Sequence, residues 1–306
     1  MVRFKVITYN VDGLPDELNL KELPWLFKPI VWLYNKVKGT TVIKVNDNGG
    51  SSNRMTKISE YLSIQDPEII GVQEDFNYHN ELMSSLDRYN DSVYKGGFDI
   101  SKIFSSISWF PFPRFKADGI NLLTKHNIKV KGLDIVSWNK SNGYFSHAND
   151  LLTHKGFRYY TIEVQGVDID LYVLHMDADF YHPEKCPDVR KDIETRKEQL
   201  KQLTSYILGK SSYNPVIIIG DTNSIDKYSW DVENINEYLL KPINNRSELY
   251  IREAVPTNRV DVDRVFYINT FVSSYEVEVS KCYFDEVSYS DHKPLIVEFE
   301  LKFRAV

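Results

Sequence analysis

The chain has 306 residues and only two cysteines, Cys186 and Cys282. So far apart, they form no CxxC pair and no disulfide framework, which excludes a stapled scaffold and leaves two free thiols as the expectation. No stretch of about twenty apolar residues occurs, so no transmembrane helix is expected. An excess of basic charge is missing as well: 37 Lys and Arg against 43 Asp and Glu leave a formal net charge of -6. An enzyme that grips DNA along a long footprint carries a basic surface, so the acidic balance disfavours nucleic acid as a partner, although a local basic strip could still be present. Glycine and proline are not enriched, and there is no internal repeat or low-complexity tract. That leaves an ordinary globular composition. The opening MVRFKVITYN reads as a strand and not as a signal peptide. The expectation is a cytoplasmic protein as the sequence stands, or a secreted one if a leader has been removed.

With 42% hydrophobic residues the chain can bury one large core. Short apolar runs read as buried strands over 2–9, 68–72, 119–123, 170–174, 216–219, 264–268 and 294–299. Alternating segments lie around 128–138 and 158–164. Helical spacing occurs at Met55, Ile58 and Leu62, and at Ile193, Leu200, Leu203 and Ile207 after an acidic opening at Asp188 and Asp192. Strands outnumber helices in mixed order, which predicts packed sheets flanked by helices. Two stretches, near 14–50 and 103–116, are rich in aromatics beside Lys or Arg. They read as insertions on a single domain spanning 1–306. Exposed aromatics beside lysines would suit a membrane interface; the alternative is that Trp25, Trp32, Phe110 and Phe112 pack against the domain.

The chemistry sits where the strands end. FKVITY runs into Asn10, EIIGVQ into Glu74, IDLYVL into His175, and VIIIG into Asp221, with Asn223 two residues on. Asp291 and His292 precede the last strand. In open α/β sheets the C-terminal strand ends are where ligands bind. A hard dication takes oxygen ligands, which Glu74 and the Asn10 amide can supply, and it polarises a phosphoryl oxygen. Asp221 and Asn223 would face the same way in extended chain. One could orient a water while the other holds a phosphate oxygen. His175 and His292, with ordinary pKa values of about 6.5, suit proton transfer. Asp263 is the candidate carboxylate to orient His292, preferred over Asp261 because Arg264 and Val265 follow it.

TYN, QE, a strand-terminal His, GDTN, a D-R-V step and a late SDH stand here in the order seen in the endonuclease/exonuclease/phosphatase (DNase I-like) superfamily. The resemblance runs from Asn10 to His292 and so spans nearly the whole chain. It implies an α/β class fold, a four-layered sandwich of two facing mixed sheets flanked by helices. It implies a Mg2+-dependent phosphodiester hydrolase, with Mn2+ or another divalent cation as alternative. Glu74 would be the main metal ligand, with Asn10 and Asp291 close by; His175, Asp221, Asn223 and the Asp263/His292 pair would carry catalysis. Within the superfamily, NVDGLP, ADGINLLTKHNI and NDLLTHKGFRYYTIEV resemble elements of sphingomyelinases. These place Asp150 and Lys155 as substrate-binding residues and imply a monomeric phospholipase C acting on a phospholipid. HMDAD departs from the usual His-x-Gln-Ala pattern, Asp177 replacing the glutamine. Arg196 and Gln199 fit the wider Arg-x-x-Gln spacing.

The rivals are a DNase-like nuclease, favoured by a basic strip such as Arg114, Lys116 and Arg158; an inositol-phosphate phosphatase; and an inactive lipid- or protein-binding member. His79, His126, His147, His154 and His182 carry no motif and are read as surface groups. Asp177 and Asp179 are read as solvated loop carboxylates, with an extension of the metal site as the alternative, and Lys155 has a solvated turn as its alternative.

Overall fold

A computed structural model describes residues 2–13, 50–94, 107–108, 114–142, 150, 153–178, 189–210, 213–258, 262–287 and 289–304. Trp25, Trp32, Phe110, Phe112, Asp179, Cys186 and Asp261 lie outside the described residues, as do His147 and His182.

Among the described residues fourteen strands form two six-stranded sheets and one short ribbon. The strands are β1 (Val2–Asn10), β2 (Ile69–Gln73), β3 (Tyr89–Asp91), β4 (Ile107–Ser108), β5 (Arg114–Phe115), β6 (Asn121–Lys125) and β7 (Lys129–Ser137). They continue with β8 (Gly156–Val164), β9 (Val167–His175), β10 (Val216–Asp221), β11 (Leu249–Glu253), β12 (Asp263–Thr270), β13 (Tyr275–Phe284) and β14 (Leu295–Phe303). The first sheet runs β13-β14-β1-β2-β6-β3, the second β11-β12-β10-β9-β8-β7, and β4-β5 is a ribbon inside the second aromatic stretch. Helices α1 (Gly50–Gln65) and α2 (His79–Met83) accompany the first sheet. Helix α3 (Arg190–Lys210) and the run α4 (Ser229–Ile235), a π turn (Asn236–Leu240) and α5 (Lys241–Asn244) accompany the second.

Side-chain alternation builds the layers. Along β10, Ile217 and Ile219 enter the core between the sheets while Val216 and Ile218 enter the core under α3. Along β1 and β2, Val6 and Ile69 face the other sheet while Ile7 and Ile70 pack on α1 with Met55, Ile58 and Leu62. Three cores in series make the four-layered α/β/β/α sandwich that the sequence predicts. The sheets approach closely where Gly71 lies: a Cβ there would stand 2.5 Å from Ile219 Cδ1. Burying one such Ile side chain contributes roughly 1.5–3 kcal/mol.

Helix α3 departs from a plain apolar stripe. Leu200, Leu203 and Ile207 pack as expected, but its first half buries Asp192, Arg196 and Gln199. Arg196 donates to Asp231 at 2.8 Å, and Asp231 also accepts the Ile225 N–H at 2.9 Å. The helix thereby holds the loop that follows Asn223.

Candidate active site

Strand direction gathers the site. β1 and β2 are parallel neighbours, as are β9 and β10, so Asn10, Glu74, His175 and Asp221 leave both sheets at one end. β12 runs antiparallel to β10, with Asp263 paired to Asp221. β14 runs antiparallel to β1, so the residues just before it, Asp291 and His292, return to the same end. The Ser290 hydroxyl fixes that return by donating to the Asn10 carbonyl at 2.7 Å.

The backbone is bent hard at three of these strand ends. Asp12, Glu74 and Asn223 have φ of 44°, 60° and 49°, left-handed values that non-glycine residues adopt mainly where surroundings impose them. Gly13 N–H holds the Glu74 carbonyl at 3.0 Å, and Asp221 Oδ1 holds the Asn223 N–H at 2.8 Å. Gly220 has φ of 143°, and a Cβ there would meet the Leu174 carbonyl oxygen at 2.0 Å. Only glycine lets β10 lie against β9 one residue before Asp221. Trp138 Nε1 donates to the His175 carbonyl at 2.7 Å and pins the end of β9.

Asp221 is the hub. Its Oδ2 accepts from Asn10 Nδ2 at 3.1 Å and lies 3.4 Å from His175 Nε2 and 3.8 Å from His292 Nε2. Asn10 Nδ2 also donates to Glu74 Oε1 at 3.2 Å, and Glu74 Oε1 is 4.0 Å from His175 Nε2. Asp263 Oδ2 stands 2.7 Å from His292 Nδ1, so His292 turns its Nε2 inward. Asn223 Nδ2 donates to the Met176 carbonyl at 2.9 Å. Thus Asn10, Glu74, His175, Asp221, Asn223, Asp263 and His292 converge. Asp291 is exposed beside them, close enough for its charge to act on Glu74.

The Asn10 amide is held at both ends. Its amide oxygen accepts the Asp12 N–H at 3.1 Å and its nitrogen points at the carboxylates. Among the described residues no group of three His, Cys, Asp or Glu is arranged to hold a metal ion.

Asp150 and Lys155 lie on the neighbouring wall. Both are buried, with Lys155 Nζ 2.5 Å from Asp150 Oδ1, and Asp150 Oδ2 accepts the Ala178 N–H at 2.6 Å. A solvated turn is therefore ruled out for Lys155. Asp177, read as a solvated carboxylate, is instead 1% exposed, accepting the Asn142 N–H at 2.7 Å. It follows His175 by two residues, and the strand end carries it inward. Arg158 also departs from its reading as part of a basic strip: it is fully buried, with Nε and Nη2 on Asp118 at 2.9 and 2.7 Å. His79, read as a surface group, is largely buried between two carboxylates. Arg54 and Asp12 were not singled out; Arg54 grips the Asp12 carboxylate at 2.7 Å and its carbonyl at 2.5 Å. The sequence places these two 42 residues apart, across the first aromatic stretch, and offers no local signal for the pair.

Burial and crowding set the charges. Burial pushes the Glu74 carboxyl up to about 7, with the Asp12 charge adding, Lys155 opposing and Asp291 adding. Burial likewise lifts Asp150 to about 7 against the pull of Lys155, with Asp177 adding to the rise. His175 is held well below the usual imidazole range by burial and by the positive fields of Lys155 and His292, so it is neutral at pH 7.

No family model matches the chain. A sphingomyelinase of Mycobacterium bovis is 25% identical over a 319-residue alignment covering 97% of this chain and 52% of the relative. The chain thus spans about half the length of the curated relatives it matches. Staphylococcus aureus beta toxin superposes with a TM-score of 0.61 at 16% identity, over 96% of this chain and 99% of that one. Sphingomyelinase C from Streptomyces griseocarneus gives 0.58 at 16% identity, over 97% and 99%. A humanized D. rerio TDP2 gives 0.60 at 14% identity, over 97% and 99%. A further beta toxin structure carries bound magnesium ions. The chain has the DNase I-like fold. In this DNase I-like sandwich the two parallel strand pairs, one from each sheet, are the elements that end at the site.

Proposed function

We propose that the protein is a divalent-metal-dependent phosphodiesterase acting on a phospholipid, a sphingomyelinase-like phospholipase C that releases a phosphorylated headgroup. The observation that carries this is the single constellation around Asp221: one amide and two imidazoles gathered on one oxygen, with the Glu74 carboxylate joined to it through the same amide. The likeness to a mycobacterial sphingomyelinase over 97% of the chain supports lipid as the substrate class. So does the burial of Arg158, which takes one arginine away from a nucleic-acid strip.

The donor set fits a hard dication. Burial first, and then the charges of Asp12 and Asp291, push the Glu74 carboxyl up, with Lys155 and the Asn10 amide opposing. Glu74, with Asn10 and Asp291 beside it, would hold Mg2+ or Mn2+. Such an ion offsets the charge that develops on the phosphoryl oxygens.

The remaining roles belong to the chain itself. Asp263 holds His292 Nδ1, keeping Nε2 directed at the site to move a proton. Asp221 orients the attacking water and stabilises the imidazolium that forms on His292. His175, neutral and buried, donates from Nε2 without bringing a second positive charge. Asn223 is fixed on its turn to meet a phosphate oxygen. Lys155, held by Asp150, offers a positive field on the headgroup side.

The test is phosphocholine release from sphingomyelin in mixed micelles, with Mg2+ and with EDTA, alongside His292→Ala. Metal-dependent release absent from the variant supports the proposal. No release from folded, metal-binding protein removes sphingomyelin as substrate, and single-stranded DNA and inositol phosphates become the next substrates to assay.

A further inference from the structure

The corner that carries Glu74 is held by a second, separate network. Asp75, next in sequence, is buried, and its Oδ2 accepts from Asn121 Nδ2 at 3.1 Å. The same oxygen is 2.7 Å from His79 Nδ1. The other ring nitrogen of His79, Nε2, is 3.2 Å from Asp91 Oδ2. The imidazole face stacks on Tyr94 at 3.9 Å with 14° between planes, and the Tyr94 hydroxyl donates to the Phe76 carbonyl at 2.8 Å. One ring therefore joins the β2–α2 loop, the start of α2, the end of β3 and, through Asp75 and Asn121, the start of β6.

Both ring nitrogens face carboxylates. A neutral imidazole has one donor and one acceptor nitrogen, so it would turn a lone pair toward one of the two carboxylates; only the imidazolium donates to both. Burial alone would lower the pKa of this ring, but the hydrogen bonds and charges of Asp75 and Asp91 outweigh it and bring it to about 9. Asp75 and Asp91 are the charged groups that set this balance, and Tyr94 contributes its face.

We infer that His79 is a positioning residue: a clamp set between Asp75 and Asp91 through its two ring nitrogens that fixes the strained Glu74 corner in the geometry a divalent cation requires. The inference rests on the proposed role of Glu74 as metal ligand. Glu74 has φ of 60°, and the two residues that follow it, Asp75 and Phe76, are the ones the clamp and its Tyr94 stack hold. Releasing the clamp frees the corner to relax out of the left-handed region. Groups that hold ligands in this way alter metal affinity by roughly 10–100-fold when removed.

The first measurement is the 15N shifts of the His79 ring in metal-free wild-type protein between pH 6 and 10. Two protonated nitrogens at pH 7, titrating near pH 9, are expected; a neutral ring at pH 7 overturns the clamp. The second is Mn2+ binding by calorimetry, without substrate, for wild type, His79→Gln, Asp91→Asn and Glu74→Ala. His79→Gln and Asp91→Asn should weaken Mn2+ binding roughly tenfold or more. Turnover at saturating metal should recover most of the wild-type value. A stability-matched variant elsewhere, Ile207→Val under α3, should leave Mn2+ binding unchanged. If His79→Gln fails to fold, Asp91→Asn decides. Wild-type Mn2+ affinity in Asp91→Asn and His79→Gln, with Glu74→Ala inactive for binding, sinks the clamp and keeps Glu74. Unchanged binding in Glu74→Ala sinks the metal-ligand reading itself, and the clamp with it.

Discussion

His292 Nδ1 lies 2.7 Å from Asp263 Oδ2, and Asp263 is itself paired in the sheet with Asp221, the carboxylate that His292 Nε2 faces at 3.8 Å. One imidazole is thus held between two acids on adjacent strands. Asp263→Asn preserves the shape but can present its N–H2 to the ring and turn it to the wrong tautomer. The expected loss in kcat is about 10²–10⁴-fold with the fold retained, the usual contribution of a correctly held proton-transfer group. Steady-state turnover beside a thermal melt checks it, and near wild-type turnover would remove Asp263 from the mechanism.

Glu74 is a carboxyl whose folded pKa, about 7, stands above its ordinary value. Its contribution to stability is therefore present at acid pH and is lost as pH rises through about 7. In EDTA, Glu74→Gln should be more stable than wild type at pH 8 and indistinguishable at pH 4. Mn2+ should raise the melting temperature of wild type and not of the variant. A variant that melts below wild type at pH 8 contradicts the argument.

Asp177 and Asp150 share one cation, Lys155, in a buried space, and burial raises both carboxyls. Asp177→Asn keeps an oxygen for the Asn142 N–H and removes a charge. It should raise Tm at neutral pH by on the order of 2–4 °C per kcal/mol relieved, and the gain should vanish below about pH 4. Differential scanning calorimetry across that range reads the effect directly.

Arg158 is fully buried, and its pairing with Asp118 predicts a stability role. Arg158→Leu strands the Asp118 carboxylate and should cost roughly 3–5 kcal/mol in denaturant unfolding. The double variant Arg158→Leu/Asp118→Leu should recover much of that. If the single substitution costs nothing yet weakens nucleic-acid binding, the buried pairing is wrong.

The strand ends were legible because each is written locally: an apolar run, then one polar residue. Asn10, Glu74, His175 and Asp221 follow from that pattern, and the packed sheets follow from the apolar runs of β1 and β10 and the alternation along β7 and β8. Charge environments were not legible in the same way. Arg158, His79 and Asp177 look like surface groups because what buries them comes from distant parts of the chain: Asp118 for the arginine, Asp91 for the histidine, Asn142 for the aspartate. β3, β11 and β13 were missed as well. β11 and β13 carry exposed charged or polar residues on one face, and β3 is three residues long, so the apolar-run signal is absent.

The first strand of the chain lies between β2 and the last described strand, β14. Asn10 also reaches Asp221 across 211 positions and Ser290 across 280. Contacts of such high sequence separation close slowly, because loop entropy is lost before they form. During synthesis β1 must wait with one hydrogen-bonding edge open until β14 emerges. Without β14 the turn that carries Ser290, Asp291 and His292 would have no strand to hold it against the Asn10 end of β1.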